Sequence, residues 1–188
     1  MVLRELTHLP ETVEAFDEWV LLPENIDHEY EFIRGRVYEV VSNPFSSRVA
    51  VRISTYLGMY LLHNDIGHLT GADGGYMVMG ERYIPDVGFI SYARQPELQT
   101  VNGYNPLPPD LAVEVLSPSN DDEKLRVKVA NYVAAGALVW VVDLDLKRFE
   151  VYRSGCAVAM VGVEGALDGE DVLPGFTLPV REIFKSPA

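Results

Sequence analysis

Leu111-Ala112-Val113-Glu114-Val115-Leu116-Ser117-Pro118 sets one acidic residue inside a near-continuous apolar run and closes it with a proline. Such a run marks a strand buried on both faces. An ionised carboxylate there is costly unless it is paired or bound to a metal, so Glu114 is the residue the rest of the chain must account for. Asn120, followed three residues later by Glu123, resembles a capping box with Asn in place of the usual Ser or Thr. It predicts a helix running to about Ala135, with Gly136 as its C-terminal stop. Lys124 and Lys128 lie on one face of that helix as i,i+4 neighbours, and Tyr132 continues the stripe. Residues 137–143, Ala-Leu-Val-Trp-Val-Val-Asp, read as a second buried strand. Strand, helix, strand in that order implies a right-handed crossover if the two strands are parallel.

Upstream, Val13, Phe16, Trp19 and Val20 recur at helical spacing over residues 11–22. Residues 29–41 hold two β-prone runs flanking Arg34-Gly35, the pattern of a hairpin. A loop around Asn43-Pro44 comes next, and Ser46 or Ser47 caps a second helix. That helix runs to about His63 and buries Val49, Ile53, Leu57 and Tyr60 or Leu61. Two strands are expected over 75–80 and 82–92, the second containing Tyr83-Ile84-Pro85-Asp86-Val87-Gly88. Four of the twelve prolines (Pro96, Pro106, Pro108, Pro109) fall in residues 94–110, an irregular loop. Downstream, residues 148–153 and 157–163 suggest a closing hairpin, and 179–184 a short helix.

The chain has 188 residues, 48% of them hydrophobic and 23% charged, the profile of one globular domain over 1–188 rather than a disordered or fibrous chain. No apolar run approaches the ~18 residues that span a bilayer, so no membrane is expected. Met1-Val2-Leu3-Arg4-Glu5-Leu6 turns charged at once, which argues against a signal peptide. Cys156 is the single cysteine, which excludes an internal disulfide and a multi-cysteine zinc site and fits the cytoplasm. Lys and Arg total 15 against 28 Asp and Glu, a net charge of −13. A basic nucleic-acid footprint is therefore absent on average, but clustered carboxylates are what hard divalent cations need.

Asp86 repeats the theme of Glu114: an acid after Ile84-Pro85 and before an apolar stretch. Two carboxylates on adjacent strands, with a lysine from the next helix, would hold a divalent cation and a phosphate. Spacing alone does not choose between Lys124 and Lys128, and it equally allows Glu114 and Lys128 to be a buried ion pair. The histidines (His8, His28, His63, His68) lack metal-type spacing apart from His63 and His68, five apart near a helix end, where no zinc site is expected. Gly71, Gly74 and Gly75 read as a turn rather than a nucleotide loop.

Tyr30-Glu31-Phe32-Ile33-Arg34-Gly35-Arg36-Val37-Tyr38, Pro85-Asp86-Val87, the Glu114-Val115-Leu116-Ser117-Pro118-Ser119 string, Lys128 with Tyr132 and Gly136, and Val139-Trp140-Val141-Val142-Asp143 together resemble one pattern. It is the putative restriction endonuclease branch of the PD-(D/E)XK superfamily. The resemblance extends through Leu173-Pro174-Gly175-Phe176 and Glu182-Ile183-Phe184, covering roughly 11–185. It implies an α/β (α+β) restriction-endonuclease-like fold, a mixed central sheet flanked by helices. It implies Asp86 and Glu114 as metal ligands and Glu31 as a further active-site acid. The superfamily's lysine, usually two residues after the acid, is replaced here by Leu116; the branch supplies it from the following helix, where Lys128 matches. Relatives often carry a histidine near the start of the second helix, where this chain has Ser47-Arg48.

The expected function is therefore a Mg²⁺- or Mn²⁺-dependent DNA endonuclease. Its metal is held by Asp86, Glu114 and the Val115 carbonyl, with Glu31 and Lys128 assisting. A homodimer is expected because cutting a duplex needs two sites. The rival readings are a nuclease-fold regulatory or protein-interaction module without useful catalysis, and a nuclease acting on RNA. Lys128→Ala is expected to abolish cleavage with the fold intact.

Overall fold

The computed structural model describes residues 2–5, 9–100, 102–116 and 122–185. Ser117 to Asp121, and with them the Asn120 cap and the whole Ser-Pro-Ser string, lie outside the described residues, as does His8.

The strand-helix-strand unit forms as read. β8 (Leu111–Val115) and β9 (Leu138–Asp143) pair in parallel, joined by α3 (Asp122–Ala134). Gly136 ends the helix with φ +87°, a left-handed conformation that costs glycine nothing. These two strands are the centre of a six-stranded sheet, ordered β11-β10-β9-β8-β7-β4, with β4 (Gly67–Thr70), β7 (Val87–Ser91), β10 (Arg148–Tyr152) and β11 (Ala159–Gly162) joined antiparallel.

The two-residue period of a strand sorts β8 onto two faces. Leu111, Val113 and Val115 pack with Leu138, Trp140 and Val142 against α2 (Pro44–Leu61), through Val49, Ala50, Ile53 and Leu57. Ala112 and Glu114 point the other way. There Val139, Val141, Leu125, Val129 and Tyr132 form a second core with Ile33, Tyr38, Tyr76 and Tyr83. The last four belong to a separate five-stranded antiparallel sheet, β1-β3-β2-β6-β5: β1 (Val2–Glu5), β2 (Tyr30–Ile33), β3 (Arg36–Val41), β5 (Tyr76–Val78) and β6 (Glu81–Tyr83). The mixed central sheet thus has helix α2 on one face and α3 with a second sheet on the other. The apolar contact surface of α2 alone is worth several kcal/mol, at ~1.5–3 kcal/mol for each fully buried aliphatic side chain.

Several boundaries differ from the sequence reading. Asn43, not Ser46 or Ser47, caps α2: its side chain accepts from the Phe45 and Ser46 amides, and Pro44 opens the helix. Proline suits that first position because its missing N–H has no partner there anyway. α1 is shorter than read (Val13–Trp19), capped by Thr12. The stretch 82–92 is not one strand but two, β6 and β7, in different sheets; Ile84-Pro85-Asp86 crosses between them. Proline cannot donate to a ladder, so pairing stops there. The strands β1 and β4, and the small pair β12 (Ala166–Asp168) and β13 (Thr177–Pro179), had no expectation attached. The closing hairpin and the terminal helix α4 (Val180–Phe184) do form.

Candidate active site

Asp86 leads into β7 at the point where the chain passes from one sheet to the other. Val87 and Phe89 pack toward α2, so alternation turns Asp86 toward the opposite face, the one that carries Glu114. Glu31 lies on β2, between the α1-facing Tyr30 and Phe32, and shares its face with Ile33. Lys128 arrives from α3. Glu31 is 0% exposed, Lys128 1%, Glu114 2% and Asp86 3%. All four residues expected from the sequence therefore meet in one buried volume between the two sheets.

Their contacts are specific. Lys128 Nζ donates to Glu31 Oε1 at 2.7 Å and sits 2.8 Å from Glu114 Oε1. Glu31 Oε1 also accepts the Ile84 amide at 2.7 Å. Asp86 Oδ2 accepts the Val115 amide at 2.7 Å, tying the crossing segment to the end of β8. The Tyr83 ring lies 5.7 Å from Lys128 Nζ, and its hydroxyl accepts from Asn131 Nδ2 at 2.6 Å. The Tyr132 hydroxyl is buried beside Glu114 without a completed hydrogen bond.

Glu31 and Glu114 share one lysine, and their titration follows. Burial pushes the Glu114 carboxyl up to about 7, helped by Asp86 and Glu31 and opposed by Lys128. Burial likewise raises Glu31, against the pull of Lys128 and the Ile84 amide. Desolvation alone would lower Lys128, but Glu114 and Glu31 together hold it above its ordinary value, so it stays charged.

Lys124 does not enter this volume. It stacks over the Tyr38 ring at 4.4 Å, one turn before Lys128 and outside the acid cluster. Sequence reading missed Tyr83; its place three residues before Asp86, in a β-prone run, was the available signal.

Among the described residues no group of three or more His, Cys, Asp or Glu side chains stands arranged to hold a metal ion, since Lys128 takes the space between Glu31 and Glu114. The donor set nonetheless fits a hard divalent cation. Glu31 Oε2 is buried without a hydrogen bond, Glu114 Oε1 is held by its ion pair with Lys128, and oxygen ligands with surplus negative charge are what Mg²⁺ takes.

A mixed sheet with acids at its centre, faced by a lysine-bearing helix, is the restriction-endonuclease-like fold. The fold is shared with the crystal structure of a protein titled a putative nuclease belonging to DUF820 from Anabaena variabilis ATCC 29413. That likeness has a TM-score of 0.78 at 17% identity and covers 89% of this chain and 96% of the other. A family model, Uma2, described as "Putative restriction endonuclease", matches residues 13–181. The chain belongs to that family. Among curated proteins none matches it.

Proposed function

We propose that this protein is a divalent-metal-dependent endonuclease that hydrolyses DNA phosphodiester bonds, acting as one catalytic unit per chain and as a homodimer on duplexes. The observation that supports it best is the convergence of Glu31, Asp86, Glu114 and Lys128 in one volume, in a chain of a restriction-endonuclease-like family. Asp86, Glu114 and the Val115 carbonyl are the proposed ligands. A bound Mg²⁺ or Mn²⁺ would supply a water of lowered pKa and charge to offset the transition state.

The chain's own groups do the rest. Asp86, held by the Val115 amide, keeps its carboxylate fixed where β7 and β8 meet. Glu114, its carboxyl raised to about 7 by burial, is the acid that would give up its proton to serve as a ligand. Lys128 stays protonated and steadies charge that develops on the phosphate. Glu31 accepts from Lys128 and sets the direction of its ammonium. The phosphate reaches these groups only when the surrounding chain shifts, because each is 3% exposed or less.

That burial also favours a second reading, a nuclease-fold interaction module in which Lys128 neutralises buried acids structurally. Incubation with plasmid DNA, and separately with RNA, with Mg²⁺ and with chelator, tests the choice. Chelator-sensitive cutting of DNA supports the proposal. Cutting of RNA alone reassigns the substrate. Absence of cutting with any divalent metal favours the module.

A further inference from the structure

Strand β11 forms one edge of the six-stranded sheet, and among the described residues no strand pairs with its free side. We infer that two copies of the chain join along this edge, β11 against β11 and antiparallel, into one continuous sheet. The inference rests on the homodimer of the reading above and not on its chemistry.

An edge strand offers a row of unpaired N–H and C=O groups, and proteins blunt such edges with charge, proline or a covering segment. Two other edges of this fold are covered. Asn105 closes β5: its carbonyl accepts from the Met77 amide at 2.8 Å, and its amide donates to the Gly75 carbonyl at 2.8 Å. Strand β4 is half-buried along its length, and its His68 Nε2 meets the Pro96 carbonyl at 3.1 Å. The edge at β11 is unlike both. Ser154 to Val163 reads Ser-Gly-Cys-Ala-Val-Ala-Met-Val-Gly-Val, ten residues without a charge or a proline in a chain that is 23% charged. Val158 is 44% and Met160 55% exposed, so apolar surface stands open beside the backbone. Two chains of net charge −13 repel each other, and this run lets them meet with no charge opposed to charge.

The run is also complementary to itself. Met160 lies opposite Glu150 on β10, and Val161 opposite Phe149. Phe149 belongs to the α2 core and Val161 packs against it, so Val158, Met160 and Gly162 share the other face. Residues directly opposed across a ladder share a face, and a two-fold axis normal to the sheet preserves faces. The axis of an antiparallel self-pair therefore passes through a residue and never between two. Placed at Met160, it sets Ala157 against Val163, Val158 against Gly162 and Ala159 against Val161 of the second copy. Each β-branched side chain then meets Gly or Ala, and the two methionines, flexible and apolar, meet each other. An axis one residue earlier opposes Val158 to Met160, and one residue later opposes Val161 to itself. Three strand spacings separate β11 from β8, about 14 Å, so the contact stays clear of the Glu114 strand.

The test is sedimentation equilibrium of the full chain in EDTA, without nucleic acid. Wild type should be dimeric. Met160→Lys opposes two ammonium groups at the axis and should raise the dissociation constant at least about tenfold. Leu62→Lys, at a position 83% exposed beyond the end of α2, should leave it unchanged. The register is read in a Cys156→Ser background. There Met160→Cys should form an interchain disulfide on mild oxidation, because opposed Cβ atoms stand about 4.5–5.5 Å apart. Val158→Cys should not, because its two copies lie about 14 Å apart along the strands. Should Met160→Lys fail to fold by circular dichroism, the crosslink decides. A monomeric wild type, a dimer indifferent to Met160→Lys, or crosslinking through Val158→Cys in preference to Met160→Cys overturns the inference and leaves the nuclease chemistry standing. A dimer that responds as expected but cuts no nucleic acid with any divalent metal overturns that chemistry and supports the interface.

Discussion

Glu114→Gln in the metal-free protein separates a site built to take a cation from a structural ion pair, because the two ideas predict opposite signs. The Glu114 carboxyl is pushed up to about 7 from an ordinary 4.5, first by burial and then by Asp86 and Glu31. A carboxyl that binds its proton more tightly folded than unfolded contributes stability that is fully present below the unfolded value. That contribution is lost as pH rises through the folded value. The window is therefore about pH 4.5 to 7. At ~1.4 kcal/mol per pK unit, the loss across it is on the order of 3 kcal/mol. A domain of this size moves roughly 2–4 °C per kcal/mol. Gln carries no titrating group, so Glu114→Gln should match wild type near pH 5. At pH 8 it should melt several degrees higher, with a flatter dependence between. Differential scanning fluorimetry in EDTA across pH 4.5–8.5 reads this directly. If Glu114 and Lys128 were a net stabilising pair, breaking it would cost about 3–5 kcal/mol. A large drop in the melting temperature of Glu114→Gln at pH 8 would instead show Glu114 and Lys128 to be a structural ion pair.

Lys128→Ala should lower single-turnover cleavage by at least about 10²–10³. The structure revises the expectation of an untouched fold, because removing the cation that Glu31 and Glu114 share should also cost about 3–5 kcal/mol at pH 8; thermal melts beside the kinetics check both. Lys124→Ala, outside the acid cluster, should cost under about tenfold in the chemical step at saturating DNA. Mn²⁺ titration calorimetry should show a weak site in wild type that vanishes in Asp86→Asn with Glu114→Gln; equal heats in both proteins would remove these acids from metal binding. Leu57→Ala, fully buried against the sheet, should cost about 2–5 kcal/mol without shifting the pH profile.

The legible part of the site was the part written in local pattern. Glu114 shows itself because the strand around it is apolar on both faces, which only a buried strand tolerates. Strand parity then puts it opposite the α2 core, and the same parity applies to Asp86 once Val87 and Phe89 are known to face α2. Glu31 could not be found that way. Tyr-Glu-Phe-Ile in a hairpin reads as an ordinary half-exposed strand, and only the packing of a second sheet against α3 buries it. The resemblance to a family supplied what the pattern lacked. The split at Ile84-Pro85-Asp86 was hidden because proline ends pairing without announcing that the chain changes sheets. Strands β4, β12 and β13 are three or four residues long and mostly half-exposed or exposed, too short for a two-residue period to stand out. The separation of Lys124 from Lys128 is likewise tertiary: both lie on one helical stripe, and Tyr38 from another sheet captures the first.

Whether Glu31, Asp86, Glu114 and Lys128 form a metal-dependent phosphodiesterase site is read most directly from plasmid cleavage by wild type and Glu114→Gln side by side. Both proteins are first shown to be folded, then assayed in Mg²⁺, in Mn²⁺ and in EDTA. Nicked and linear DNA produced by wild type in either metal, and lost both in EDTA and in Glu114→Gln, is the predicted result. Equal cleavage by the folded Glu114→Gln protein, or cleavage that persists in EDTA, would remove this cluster from the chemistry.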